Sequence, residues 1–187
     1  MKKVLLSFFA AAMVCTAFGQ DVNQAKGTWY LGSADATELL GIFSDGVNVS
    51  PFVGYAIADN IAITLGINYG SLTNDGVDGG NDYTASTSTI DLGAAYFFGD
   101  NFYGQVGVSI GSGSVTNLDA TTGLPTDTST ESSSTGVGFA VGKFIPVKDM
   151  WYISPSIGYQ TGTTDNGSGG TGSGAGANIG ITFGARF

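Results

Sequence analysis

At 187 residues the chain has room for one domain and not comfortably for two. Only 11% of its residues are charged, where soluble domains carry about 25%, so much of the surface is expected to face something other than water, and with 42% hydrophobic residues the composition does not suggest disorder. A net charge of −9 argues against nucleic acid as a partner, because phosphate binding needs clustered Lys and Arg.

Residues 1–19 read as a cleaved signal peptide. Met1, Lys2 and Lys3 make a basic start, and the apolar run from Val4 to Phe18 is interrupted only by Ser7 and Thr16. Ala17-Phe18-Gly19 then puts small residues at the two positions a signal peptidase reads, so cleavage is expected between Gly19 and Gln20. The run is too short to span ~30 Å of hydrocarbon comfortably. Cys15 follows the bulky Val14, which argues against lipid modification there. The remaining domain, 20–187, has no cysteine and so no disulfide or thiolate site. Without Lys2 and Lys3 it keeps 4 basic residues against 15 acidic ones, a net charge of −11.

No later stretch approaches 18 apolar residues, which leaves no membrane helix. Period-2 alternation recurs instead, in runs near 26–34, 46–58, 60–71, 84–98, 101–112, 134–146, 150–163 and 174–187. In the third run Ile61, Ile63, Leu65, Ile67 and Tyr69 alternate with Ala62, Thr64, Gly66 and Asn68. In the last, Ala177, Ile179, Ile181, Phe183, Ala185 and Phe187 alternate with Asn178, Gly180, Thr182, Gly184 and Arg186. Successive side chains on a strand point to opposite faces, so each run is apolar on one side and small or polar on the other. Three connections are tight: Ala58-Asp59-Asn60, Gly99-Asp100-Asn101 and Val147-Lys148-Asp149. Four are long and polar, near 35–45, 72–83, 113–133 and 164–173. Asp35-Ala36-Thr37-Glu38 ahead of Leu39 resembles a helix-capping box, or a first strand running on; a loop is expected there.

The count predicts an all-β fold, an eight-stranded antiparallel up-and-down transmembrane β-barrel with both termini on the short-turn, periplasmic side. Lipid is placed outside for three reasons. The face opposite the aliphatic one is rich in Gly, Ala, Ser and Thr, with lumen polar residues Asn68, Asp91, Gln105, Asn178 and Arg186, which suit a narrow hydrogen-bonded interior. Aromatics such as Trp29, Tyr55, Phe98, Phe102 and Trp151 collect near strand ends, as interfacial girdles do. Charge is scarce and sits mostly in loops. A soluble lipid-carrying barrel would need the reverse.

Lys26-Gly27-Thr28-Trp29, the stretch Ser50-Pro51-Phe52-Val53-Gly54-Tyr55-Ala56-Ile57-Ala58-Asp59-Asn60 and the terminal Phe187 resemble small Gram-negative outer-membrane barrels, the OmpA transmembrane-domain or OmpX-like chains often labelled "porin family". The resemblance spans nearly all of 20–187. It implies an outer-membrane location, export and barrel-assembly machinery as partners, and an assembly signal in the last strand, carried by Phe183 and Phe187. Ala185 and Thr182 depart from that signal's usual residues.

The chain contains no histidine. Ser and Asp without a base of near-neutral pKa leave nothing to activate a hydroxyl, so no enzyme is expected. Asp75, Asp78 and Asp82 are a weak candidate for Ca²⁺, but their spacing does not match an EF-hand, and no metal or cofactor is expected. Asp91 and Arg186 are expected to hydrogen-bond locally rather than to each other. Ten acidic residues (Asp35, Glu38, Asp45, Asp75, Asp78, Asp82, Asp119, Asp127, Glu131 and Asp165) fall in the four long loops, with no Lys or Arg among them. The leading expectation is a monomeric, non-enzymatic barrel with a structural or surface-interaction role. A narrow channel is the first alternative, and binding of an extracellular ligand through the acidic loops the second.

Overall fold

A computed structural model of the chain describes residues 24–35, 46–74, 82–119, 125–167 and 169–187. Its elements are strands: β1 (Trp29–Ser33), β2 (Gly46–Val49), β3 (Pro51–Ala58), β4 (Ile61–Asn74), β5 (Tyr83–Phe98), β6 (Phe102–Leu118), β7 (Pro125–Lys143), β8 (Ile145–Lys148), β9 (Trp151–Asp165) and β10 (Thr171–Arg186). All pairings are antiparallel, and the sheet closes on itself where β1 pairs with β10, Tyr30 opposite Arg186 and Ser33 opposite Phe183. Trp29 and Phe187 exchange two backbone hydrogen bonds of 3.0 Å at the seam. Closure leaves neither end of the sheet as an edge.

Ten strands make eight walls. β2 and β3 pair with β4 in one register, Val49 opposite Tyr69 and Phe52 opposite Gly66. The break between them falls at the buried Ser50, whose carbonyl accepts the Ala34 N–H (2.7 Å), just before Pro51, which has no N–H. β7 and β8 likewise share one register on β9, with Gly142 opposite Ser156 and Ile145 opposite Ile153. The ladder between these pairs is interrupted where Pro155 has no proton to donate.

The three tight turns depend on Asn and Asp tolerating left-handed backbone: Asn60 (φ 63°), Asp100 (58°), Asn101 (62°) and Asp149 (50°). The other end of the barrel differs from expectation. β6 runs to Leu118 and β7 begins at Pro125, so most of 113–133 is paired strand rather than loop, and Glu131 and Asp127 stand on a β-hairpin. β4 and β5 extend to Asn74 and Tyr83, and β9 and β10 take half of 164–173 into paired strand, up to Asp165 and from Thr171. The reason is local. Thr is a strand former, and Ser and Thr pair across strands, as in Ser86–Ser114 (2.9 Å) and Thr135–Thr163 (3.1 Å). A composition that cannot bury a core can still extend a ladder already nucleated below it. The proposed cleavage point Gly19–Gln20, the capping-box segment from Ala36 to Phe43, and Asp75 and Asp78 lie outside the described residues.

Alternation sorts the two faces. Ile63, Leu65, Ile67, Ile90, Leu92, Val108, Val137, Phe139, Ile157 and Ile179 are all exposed, Ile179 by 83%. Their neighbours along each strand turn inward. The barrel therefore has an aliphatic exterior, with Trp29–Tyr55 (4.7 Å), Phe98–Phe102 (6.2 Å) and Trp151–Phe183 (5.4 Å) packed in pairs toward the short-turn end.

Candidate functional site

The lumen is closed at the short-turn end by aromatic side chains. Tyr30, Phe97, Tyr103, Phe144 and Tyr152 are each at most 8% exposed and form one cluster with Ala56, Ala62 and Ala95. Phe144 stacks on Tyr152 at 4.0 Å and meets Tyr30 and Phe97 edge-on at 6.0 and 6.3 Å. Phe97 also packs on Tyr103 (5.7 Å), whose hydroxyl accepts a hydrogen bond from Ser154 (3.0 Å). Two glycines make room. A Cβ at Gly142 would lie 2.5 Å from the Tyr103 hydroxyl, and one at Gly184 would lie 2.7 Å from that of Tyr152 and 2.5 Å from the Leu31 carbonyl.

Sequence reasoning missed this plug, although a signal was present. Trp29-Tyr30, Phe97-Phe98, Phe102-Tyr103 and Trp151-Tyr152 are aromatic doublets, the last three beside the tight turns and the first across from the strand that enters one. With a period of two, one ring of each doublet joins the outer girdle and the other enters the lumen.

Gln24 caps the plug from below. It is 2% exposed, and its Oε1 accepts from the Tyr30 hydroxyl (2.7 Å) and from Arg186 Nη1 (3.4 Å). Its backbone N–H donates to Asn60 Oδ1 (3.0 Å), and its carbonyl accepts the Asn60 N–H (2.8 Å). The Gln24 Nε2 is buried without a partner. Arg186 lies over the Phe144 ring at 5.4 Å and is not joined to Asp91.

Above the plug the barrel is hollow. Two adjoining cavities of about 410 and 560 Å³ share Asn68, Asp91, Ser109 and Gln160 in their walls. Gln105 and Asn178 line the lower one. Asp91 accepts a hydrogen bond from the Asn68 amide across β4 and β5. The lumen residues Asn68, Asp91 and Gln105 thus come together in one chamber, while Arg186 belongs to the plug. Among the metal candidates, Asp82 is described at the start of β5, where its carbonyl accepts the Leu118 N–H (2.8 Å). Among the described residues no group of three His, Cys, Asp or Glu is placed to share a metal ion. Phe183 and Phe187, expected from the resemblance to carry an assembly signal, sit on the closing seam.

The described lumen is a cup: an aromatic floor, walls of hydroxyls and amides, and one carboxylate. It offers hydrogen-bond acceptors and a single negative charge, with no nucleophile–base pair in the chamber.

No protein-family model matches the chain, and no curated protein matches it. Among solved structures it is similar to a major outer membrane protein from Thermus thermophilus, with a TM-score of 0.56 and 14% identity over 86% of this chain and 99% of that one. The N-terminal β-barrel domain of Pseudomonas aeruginosa OprF also aligns, with a TM-score of 0.46 and 12% identity over 88% of this chain and 100% of that domain. The first likeness is one of fold, and by its own pairings this chain is an antiparallel barrel with a ring of eight strands.

Proposed function

We propose that the chain is a non-enzymatic integral protein of the outer membrane, a barrel closed to diffusion, with a structural or surface-interaction role. The observation that carries this reading is the pairing of an exposed aliphatic exterior with a lumen sealed by five buried aromatic rings. An exterior of Ile, Leu and Val is costly in water and suited to hydrocarbon. A closed barrel satisfies its backbone hydrogen bonds within the wall, as crossing a bilayer requires. Short turns belong on the periplasmic side of such barrels and long connections outside, so the cup would open outward.

The sealed floor favours this reading over a narrow channel. Planar-bilayer recording of the refolded protein tests it: a silent bilayer is expected, and reproducible conductance steps would overturn it. Fractionation tests the address, since recovery in the aqueous periplasmic extract would refute insertion. Contact through the outer end is the favoured surface role, because the β6–β7 hairpin carries Glu131 on a paired, projecting ladder.

A further inference from the structure

The carboxylate of Asp91 stands within the lumen, and its position is unusual for this chain's charge distribution. Beyond residue 19 the chain has four basic residues, Lys26, Lys143, Lys148 and Arg186, all near the short-turn end. Lys143 lies over the outer Phe102 ring at 4.6 Å, and Arg186 is engaged by Gln24 and Phe144. Among the described side chains no cation is paired with Asp91, whose hydrogen bond comes from the neutral Asn68 amide. A half-buried carboxylate in a narrow lumen gains from a cation placed beside it, and the described chain supplies none.

The space beside it has a definite shape. Gly66 leaves a notch in which a methyl group would sit 3.6 Å from Asp91 Cβ, 3.9 Å from Asp91 Oδ2 and 3.9 Å from Phe52 Cβ. The notch opens on the lower cavity, which Phe52 also lines. A carboxylate, amide and hydroxyl acceptors, and an apolar wall therefore surround one hollow that is blocked below.

We propose that the lumen beside Asp91, above the aromatic floor, binds a small organic cation, a primary ammonium on a short chain. An ammonium carries three donors, which Asp91 and the hydroxyl of Ser109, its partner across β5 and β6, can accept, while its methylenes lie against Phe52. A divalent metal fits less well, because it draws several oxygen ligands and this chamber has one carboxylate. The acidic residues of the opposite end, with no Lys or Arg among them, raise the local concentration of cations at the mouth. The inference goes beyond the structural role proposed above, and its test in detergent micelles does not depend on membrane orientation or conductance.

The experiment is isothermal titration of the refolded protein with 1,4-diaminobutane, using 1,4-butanediol as the uncharged comparator of the same length. Saturable binding is expected for the diamine and none for the diol. Asp91→Asn should weaken the diamine at least tenfold. Gly66→Ala, whose methyl meets only ordinary contacts, should weaken it severalfold by filling the notch, and it decides the matter if the Asp91 variant does not fold. Glu131→Gln, at the rim, should change the affinity less than twofold at 0.15 M salt. The proposal is overturned if the diol binds as well as the diamine, if both lumen variants bind like the parent, or if KCl or CaCl₂ gives the Asp91-dependent heat and the diamine does not.

Discussion

Replacing Phe144 with Ala is the sharpest test of the plug. The ring is 3% exposed and touches Tyr152, Tyr30 and Phe97 at once, with Arg186 over its face. Burying an aromatic removes ~150–250 Å² from water, which at ~25 cal/mol/Å² is about 4–6 kcal/mol before the alanine's own share is subtracted. Mutational experience places Phe→Ala in cores at about 3–5 kcal/mol. The cation–π contact adds about 0.5–1 kcal/mol. Water from the cup above can enter the gap, which pulls the expectation to the lower end, about 3 kcal/mol. That is roughly a hundredfold in the folding equilibrium. Reversible urea unfolding in lipid vesicles, followed by tryptophan fluorescence, measures it. Phe144→Leu keeps most of the volume and should lose less than half as much. A loss below about 1 kcal/mol for Phe144→Ala would refute a packed aromatic floor, as would equal losses for the two variants.

Other positions test the seam, the cap and the outer face. Gly184→Ala drives a methyl into the Leu31 carbonyl and Tyr152, and should destabilise the β1–β10 seam by about 1–3 kcal/mol, whereas Gly176→Ala, with nothing within 4 Å, should stay within about 0.5 kcal/mol in the same unfolding assay. Gln24→Ala takes the shared acceptor from Tyr30 and Arg186 and should cost about 1–3 kcal/mol, seen as faster amide exchange at Asn60, whose N–H bonds the Gln24 carbonyl. Leu92→Arg, on the aliphatic exterior, should cost about 2–4 kcal/mol in bilayers if it lies near the midplane, while Thr64→Ser in the lumen should be nearly neutral; equal effects would refute lipid on the outside.

Much of the barrel is legible in sequence because its rule is local. Ile61 to Tyr69 and Ala177 to Phe187 display their two faces in the order of their residues, and Asn60, Asp100 and Asp149 mark tight turns by backbone chemistry alone. At 113–133 the polar composition that reads as loop is plain, but its cross-strand partners are not. Ser114 has structure because Ser86 lies opposite, a relation between residues 28 apart. The plug is half-legible: the doublets Trp29-Tyr30 and Trp151-Tyr152 are visible in sequence, but their inner rings become a floor only when five walls bring them to one level.

Strand count, the two faces, the tight turns and the confinement of Lys and Arg to the short-turn end are written in residue order, since all of these depend on period-two geometry and residue type. That the lumen is a cup, sealed by Phe144 and Tyr152 and capped by Gln24, with Asp91 beside the Gly66 notch, emerges only in three dimensions. Closure is the physical reason. Bending eight strands into a ring brings distant inward-facing residues across a narrow lumen, and which rings meet there depends on register and tilt around the whole barrel.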